Sequence, residues 1–417
     1  MLSAGFTCVI WLWSALYVFA LDENVVYQAI LSSIETDRTC DTSDTPFWMR
    51  RSTPNPDDGY RVRFSRFGCS VGEQGAIVVA PGRGEASVEY YETAIDFIAL
   101  GYGPIYVVDH RGQGFSPRLL ADPDKAHLDA FSDYVTDFAA VVEAVIDDLQ
   151  VLGAPLNSPL WFMSNSMGGS IGLGYFQMAG QENPFAAAAL AGPMIRVNYF
   201  SFVERERNWI NLRIYSEFGA LFQAKWRCKV ATWWNEEICS EYASPTTFGA
   251  YDPAKRIFQV DTERTMAHSR ARFELRNALW DEIDWSKTAS KEYGPDELWK
   301  GPQVGGSTNR WVQTTARFNR TMRRQSNLRK MQTMPLMVMM GTKDLRGYRP
   351  YPESADRPPN LSYAKGLCDD LNEISAQQGR YICEFVAIEG GFHELFKESD
   401  PFRNRAIATI NWFFRGQ

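Results

Sequence analysis

From Gly75 onward, short β-branched or apolar runs alternate with helix-length amphipathic stretches. That rhythm predicts a mostly parallel sheet covered by helices on both faces, an α/β architecture. The runs at 76–80, 104–108, 160–163, 186–190, 335–340 and 384–388 are the expected strands. Between them the helical period is clear. In 131–149, Tyr134, Phe138, Val141, Val142, Val145 and Leu149 fall on one helical face, which must lie against the sheet. Crossovers of one hand then gather the strands into one sheet.

The rhythm stops near Pro193 and resumes near Pro335. An interval of about 140 residues with its own secondary-structure signal is too long for a loop, so 194–334 reads as an inserted, largely helical cap. The chain therefore divides into a leader at 1–20, an extension with the first strands at 21–74, a core at 75–193 and 335–417, and the cap. The interval holds eight of the thirteen tryptophans: Trp209, Trp226, Trp233, Trp234, Trp280, Trp285, Trp299 and Trp311. Many are ordinary core residues. The concentration still favours an apolar substrate, because aromatic walls bury acyl chains well.

With 417 residues and 45% hydrophobic content, the chain can bury a large core, and disorder, collagen and coiled coil are excluded. A net charge of -7 is the wrong sign for a phosphate-backbone binder, so nucleic acid is not an expected partner. Residues 2–21 carry no charged side chain and are about long enough to span a bilayer. Val18 and Ala20 supply small residues for cleavage of a signal peptide, the reading favoured over an uncleaved anchor. Either places the rest of the chain outside the cytoplasm. Six cysteines follow the leader, an even number suited to an oxidising compartment. Nearness in sequence pairs Cys40 with Cys69, Cys228 with Cys239, and Cys368 with Cys383, although six cysteines allow fifteen pairings. The Cys and His spacings suggest no metal site, and neither a metal nor an organic cofactor is expected. Asn319 and Asn360 open glycosylation sequons.

The chemistry starts at Ser164-Asn165-Ser166-Met167-Gly168-Gly169, between an expected strand and an expected helix. A serine at such a turn, with small residues two before and two after it, fits a nucleophile elbow. Ser164 stands where glycine is usual. The N–H of Met167 and the start of the helix would face a developing oxyanion. Of the four histidines, His110 and His127 precede the serine and His268 lies in the insertion. That leaves His393, in Glu389-Gly390-Gly391-Phe392-His393-Glu394, as the base for the chain order Ser, Asp/Glu, His. The orienting acid should follow the preceding strand, which points to Asp344, with Glu353 and Asp356 as alternatives in the same loop. The loop Pro81-Gly82-Arg83-Gly84-Glu85-Ala86-Ser87 should offer the N–H of Arg83 as second oxyanion donor, with Glu85 bracing it. The Arg83 side chain is a further candidate to meet an anionic head group.

Pro81-Gly82-Arg83-Gly84-Glu85, Asp109-His110-Arg111-Gly112-Gln113-Gly114, Leu119-Leu120-Ala121-Asp122-Pro123, Asp133-Tyr134-Val135, Ser166-Met167-Gly168-Gly169 and Gly391-Phe392-His393-Glu394 together resemble the lysophospholipase and monoacylglycerol lipase branch of the α/β-hydrolases. The bacterial lysophospholipases of L-two type are the nearest match, and Ala267-His268-Ser269-Arg270-Ala271-Arg272 resembles a motif of their cap. The resemblance implies an α/β-hydrolase fold and a serine hydrolase that cleaves single-chain acyl glycerolipids through an acyl-serine intermediate. Ser166, Asp344 and His393 would form the triad, with Arg83 and Met167 as oxyanion donors. A small amphipathic lipid is the expected partner. Docking of the tryptophan-rich cap on a membrane surface is compatible with this, though no basic amphipathic face supports it. Pro81-Gly82 replaces the His-Gly of many relatives, which fits the lysophospholipases better than the monoacylglycerol lipases. The rival readings are a non-catalytic binding protein on the same fold and an acyltransferase using the same triad.

Overall fold

The computed structural model describes residues 48–120, 125–196, 267, 269–281, 304–305, 307–343 and 359–417. Within them, eight strands form one sheet: β1 (Trp48–Pro54), β2 (Arg61–Phe67), β3 (Ala76–Ala80), β4 (Ile105–Asp109), β5 (Leu160–Asn165), β6 (Phe185–Ala191), β7 (Leu336–Gly341) and β8 (Cys383–Ile388). Their order across the sheet is β1-β2-β4-β3-β5-β6-β7-β8. β1 and β2 form an antiparallel edge on β4, and every pairing from β4 to β8 is parallel. The fold is that of an α/β-hydrolase, with each predicted strand within one or two residues of its expected bounds.

Alternation along the strands sorts the core into two layers. Val78, Ala80, Tyr106, Val108, Phe162, Leu190 and Val338 face one side. Ile77, Val79, Ile105, Val107, Trp161, Met163, Met337 and Met339 face the other. The described helices are α1 (Tyr91–Ala99), α2 (Phe131–Val151), α3 (Met167–Ala179), α4 (Arg270–Asp281), α5 (Asn309–Met322), α6 (Pro359–Ala376) and α7 (Asp400–Arg415). Helices α2, α3 and α6 cover the first layer through residues such as Phe138, Ile171 and Leu371. Helices α1 and α7 cover the second through Phe97, Ile407 and Phe414.

Because β3 lies between β4 and β5, the chain leaves it in both directions across the sheet. The loops beyond β3 and β5 therefore lie at the point of reversal on the carboxyl edge, where open α/β sheets place their sites.

Part of the interval read as an insertion packs directly on this core. In α5, the ring of Phe318 stacks on Phe131 of α2 with centroids 4.3 Å apart, and Trp311 is buried with its indole N–H donating to the Tyr134 hydroxyl. Trp311 is thus a core residue. Trp209, Trp226, Trp233, Trp234, Trp285 and Trp299 lie outside the described residues. Asn319 is buried, and its amide donates to the carbonyl of Met194 at 2.9 Å, which leaves no room for a glycan on the folded chain.

A disulfide joins Cys368 of α6 to Cys383 of β8, as sequence proximity predicts. Cys69 is also disulfide-bonded. Cys40, Cys228, Cys239 and the apolar leader lie outside the described residues. Among the described residues, no helix is long and apolar enough to cross a membrane.

Candidate active site

Ser166 sits between the end of β5 and the first residue of α3, at φ 48° and ψ −111°. It is the single non-glycine residue with positive φ among the described residues. A side chain held there is strained, and strain of this kind persists only where surrounding structure imposes it. The backbone clamps are visible. The N–H of Ser166 donates to the carbonyl of Ala191 at 2.9 Å, and its own carbonyl accepts from the N–H of Met194 at 2.8 Å. Gly168 explains the need for small neighbours, since a Cβ there would lie 1.8 Å from the carbonyl oxygen of Ala80, at the end of β3. Met167 opens α3, so its N–H has no acceptor within the helix, and the positive end of the helix dipole lies beside the serine.

The loop after β3 carries Arg83. Two residues from Asp109-His110-Arg111-Gly112-Gln113-Gly114 hold it. The Gln113 amide donates to the carbonyls of Gly82 at 2.8 Å and Glu85 at 3.0 Å, while its oxygen accepts the N–H of Gly84. His110 lies 3.1 Å from the carbonyl of Pro81, which can only accept, so Nε2 bears the proton. Burial lowers the pKa of His110 to about 4, keeping that ring neutral. His110 and Gln113 are thus loop supports, a role that elimination of His110 as base did not reveal. The Arg83 guanidinium, offered by the sequence to a head group, donates to the carbonyl of Gly305 at 2.9 Å and lies 5.8 Å from the Trp311 ring centroid.

Glu85 is buried inside the same loop. Its carboxylate accepts the N–H of Gly82, the hydroxyl of Tyr90 at 2.7 Å and the amide of Asn165 at 2.9 Å. Burial opposes its ionisation, but the ammonium of Lys397 and these donors outweigh it and hold the carboxyl well below the usual range. Asn165 immediately precedes Ser166, so Glu85 braces the loop against the elbow.

His393 follows β8 in a loop strapped to the end of β7. The N–H of Lys343 donates to the Gly391 carbonyl at 2.8 Å, and that of Thr342 to the Ile388 carbonyl at 3.1 Å. The imidazole lies against Gly192, where a Cβ would be 3.1 Å from both Cε1 and Nδ1. Gly192 follows Ala191, the residue that clamps Ser166. The structure therefore brings the β5 serine and the β8 histidine to the same turn beyond β6. Both side chains are buried, with Ser166 8% and His393 6% exposed. Asp344, Glu353, Asp356 and His268 lie outside the described residues. His127 is placed elsewhere, with Nδ1 3.0 Å from the Thr308 hydroxyl. Among the described residues no His, Cys, Asp and Glu cluster could hold a metal ion.

Comparison with known proteins adds an independent line. The sequence pattern described as Serine aminopeptidase, S33 matches residues 72–400. Lysophospholipase L2 of Escherichia coli strain K12 is 35% identical over 189 residues, 44% of this chain and 53% of that protein. The chain thus matches about half the length of this curated relative. Among solved structures, a soluble variant of monoglyceride lipase from Saccharomyces cerevisiae, in complex with a substrate analog, superposes with a TM-score of 0.54 at 16% identity, covering 91% of this chain and 97% of that one. A thermostable carboxyl esterase from Bacillus coagulans, in complex with glycerol, gives 0.53 at 15%, covering 89% and 99%. At such identities these two establish the shared fold.

Proposed function

The chain belongs to the serine aminopeptidase S33 family of hydrolases, and from that membership we propose that it cleaves the carboxylic ester of lysophospholipids or monoacylglycerols. The observation that carries the reading is the enforced positive φ of Ser166 at the strand-to-helix turn. The L2 lysophospholipase similarity over 189 residues supports the lipid class.

In the proposed reaction, Ser166 Oγ attacks the ester carbonyl carbon while neutral His393 takes its proton. The N–H groups of Met167 and Arg83 stabilise the tetrahedral oxyanion. Collapse breaks the bond to the glycerol oxygen, which receives the proton from His393, and leaves an acyl-Ser166 ester. A water molecule, deprotonated by His393, then attacks that ester, and fatty acid departs as Ser166 regains its proton. Asp344 is assigned the role of orienting the imidazole. An extracytoplasmic place of action belongs to the same proposal, supported by the apolar residues 2–21 and the Cys368–Cys383 disulfide.

The test is Ser166→Ala in the full chain, assayed against lysophospholipid and monoacylglycerol alongside the matched diacyl lipids. The expected loss is at least about 10⁴-fold in kcat with folding retained. A fluorophosphonate should label the parent chain and leave the variant unlabelled. Near-normal turnover by the variant overturns the mechanism, and an unreactive parent chain overturns the enzyme in favour of a binding protein. Acyl transfer would show as ester products when alcohols compete with water.

A further inference from the structure

The three segments that carry the proposed chemistry are far apart in sequence, yet one buried ammonium reaches toward all of them. Lys397 lies four residues after His393 in the same loop. Its Nζ donates to Glu85 Oε1 at 3.0 Å and to Glu89 Oε2 at 2.5 Å. Each of those carboxylates in turn holds a backbone N–H of the Arg83 loop. Glu85 accepts from Gly82, and Glu89 accepts from Ala86 at 3.0 Å. The loop is thereby pinned on both sides of Arg83. Glu85 Oε1, the oxygen that meets Lys397, also accepts from Asn165 beside the nucleophile.

We propose that Lys397 is a positioning residue that locks the histidine loop, the oxyanion loop and the nucleophile elbow into one geometry. This rests on the hydrolase reading and adds to it a residue that does not touch the substrate. Oxyanion donors act only when their N–H groups lie within hydrogen-bond reach of the developing charge, and a displacement of about 1 Å costs on the order of 10²-fold in rate. Glycines at 82 and 84 leave the loop backbone little stiffness of its own. Stiffness must come from outside. Two carboxylates this close disfavour each other's charge, which Lys397 offsets at both and Arg276, 3.5 Å from Glu89, at one, and a carboxyl that loses charge holds its N–H less firmly. Lys397 faces Glu85, Glu89 and Glu394, with the guanidinium of Arg276 beside them. Burial opposes the charge of Lys397, but the carboxylates more than offset it and raise its pKa, so the ammonium is a fixed charge at any working pH.

The experiment compares the full chain with K397M, K397R and E85Q on a soluble short-chain ester and by the rate of fluorophosphonate labelling. K397M is expected to lower kcat by about 10²-fold with KM within about threefold, and to slow labelling in parallel, because phosphonylation uses the same oxyanion donors. K397R should recover at least about tenfold of that loss by restoring a cation. E85Q keeps the shape but removes the charge, and carries the test if K397M does not fold; the same slowed labelling is expected. A folded K397M that labels and turns over within about threefold of the parent chain overturns the inference, as does a K397R no faster than K397M. A parent chain that neither labels nor hydrolyses ester is a different outcome, which removes the hydrolase reading itself and the positioning role with it.

Discussion

Gly192 lies against the imidazole of His393, and the space where its Cβ would stand is 3.1 Å from both Cε1 and Nδ1 of that ring. The residue before it clamps the backbone of Ser166. One missing methyl group beyond β6 therefore leaves room for the β8 histidine at the turn that also clamps the backbone of the β5 serine.

Gly192→Ala should accordingly displace the ring. The residue also has φ 51°, which a side chain tolerates poorly, so a stability loss of about 1–2 kcal/mol accompanies the change. The expected result is a fall in kcat of at least about tenfold at little-changed KM. Steady-state kinetics on the folded fraction, with thermal unfolding in parallel, checks it.

Gly168→Ala should be far more damaging, and for a different reason. The new Cβ would meet the backbone of two consecutive residues, 1.8 Å from the Ala80 oxygen and 2.7 Å from the Pro81 oxygen, and neither can yield without moving β3 or the loop after it. Loss of fluorophosphonate labelling and a large drop in Tm are expected. Gly59→Ala is the matched control. Gly59 has φ 73° but nothing within 4 Å of a Cβ, so about 1–2 kcal/mol of strain and full activity are expected.

Arg272 ties α4 to α1, to the start of α7 and to the segment before it. Its guanidinium donates to Glu92 at 2.7 and 2.8 Å, to Asp400 at 2.6 Å and to the carbonyl of Glu398 at 2.7 Å. Removing one partner from a largely buried ionic cluster strands the others, at a cost of about 3 kcal/mol. Arg272→Ala should raise amide exchange across Arg270–Asp281 while leaving Phe131–Val151 protected, a contrast that mass-resolved hydrogen exchange reads directly.

Asp109 sets a pH dependence of stability. Burial raises its pKa to about 7, against which its hydrogen bonds from the Ser87 N–H and hydroxyl work only in part. The folded value exceeds the unfolded one, near 3.9. The native state therefore binds the proton more tightly, and this residue's contribution to stability is greatest at acid pH. That contribution declines as pH rises from about 4 to about 7, by a few kcal/mol in order of magnitude. Glu85 acts with the opposite sign. Its folded pKa is depressed, so its contribution is present above the ordinary carboxylate range and lost as pH falls below it. Urea unfolding of Asp109→Asn at pH 5 and pH 8 should show a smaller decline toward pH 8 than the parent chain.

The alternation of apolar runs and amphipathic stretches locates the central strands and α2, because burial on both faces of a sheet is written in the local period of hydrophobic residues. The elbow is legible in the same way. A strand, a small residue, serine and glycine are neighbours in sequence, and the tight turn that needs them is local. Even the Cys368–Cys383 bridge follows from short separation.

Contacts between distant segments are another matter. Glu85 meets Lys397 across 312 positions, and nothing in either neighbourhood names the other. Chain order nominates His393, but its seat against Gly192 depends on how β6 and β8 lie in the sheet. The same holds for Asn319, a sequon by its three-residue pattern and a buried core amide in the fold. Periodicity and turn chemistry act through neighbouring residues, so the chain alone determines its elements and the tight turn that holds Ser166. Which loops meet at the carboxyl edge is a property of strand order, and only the folded sheet decides it.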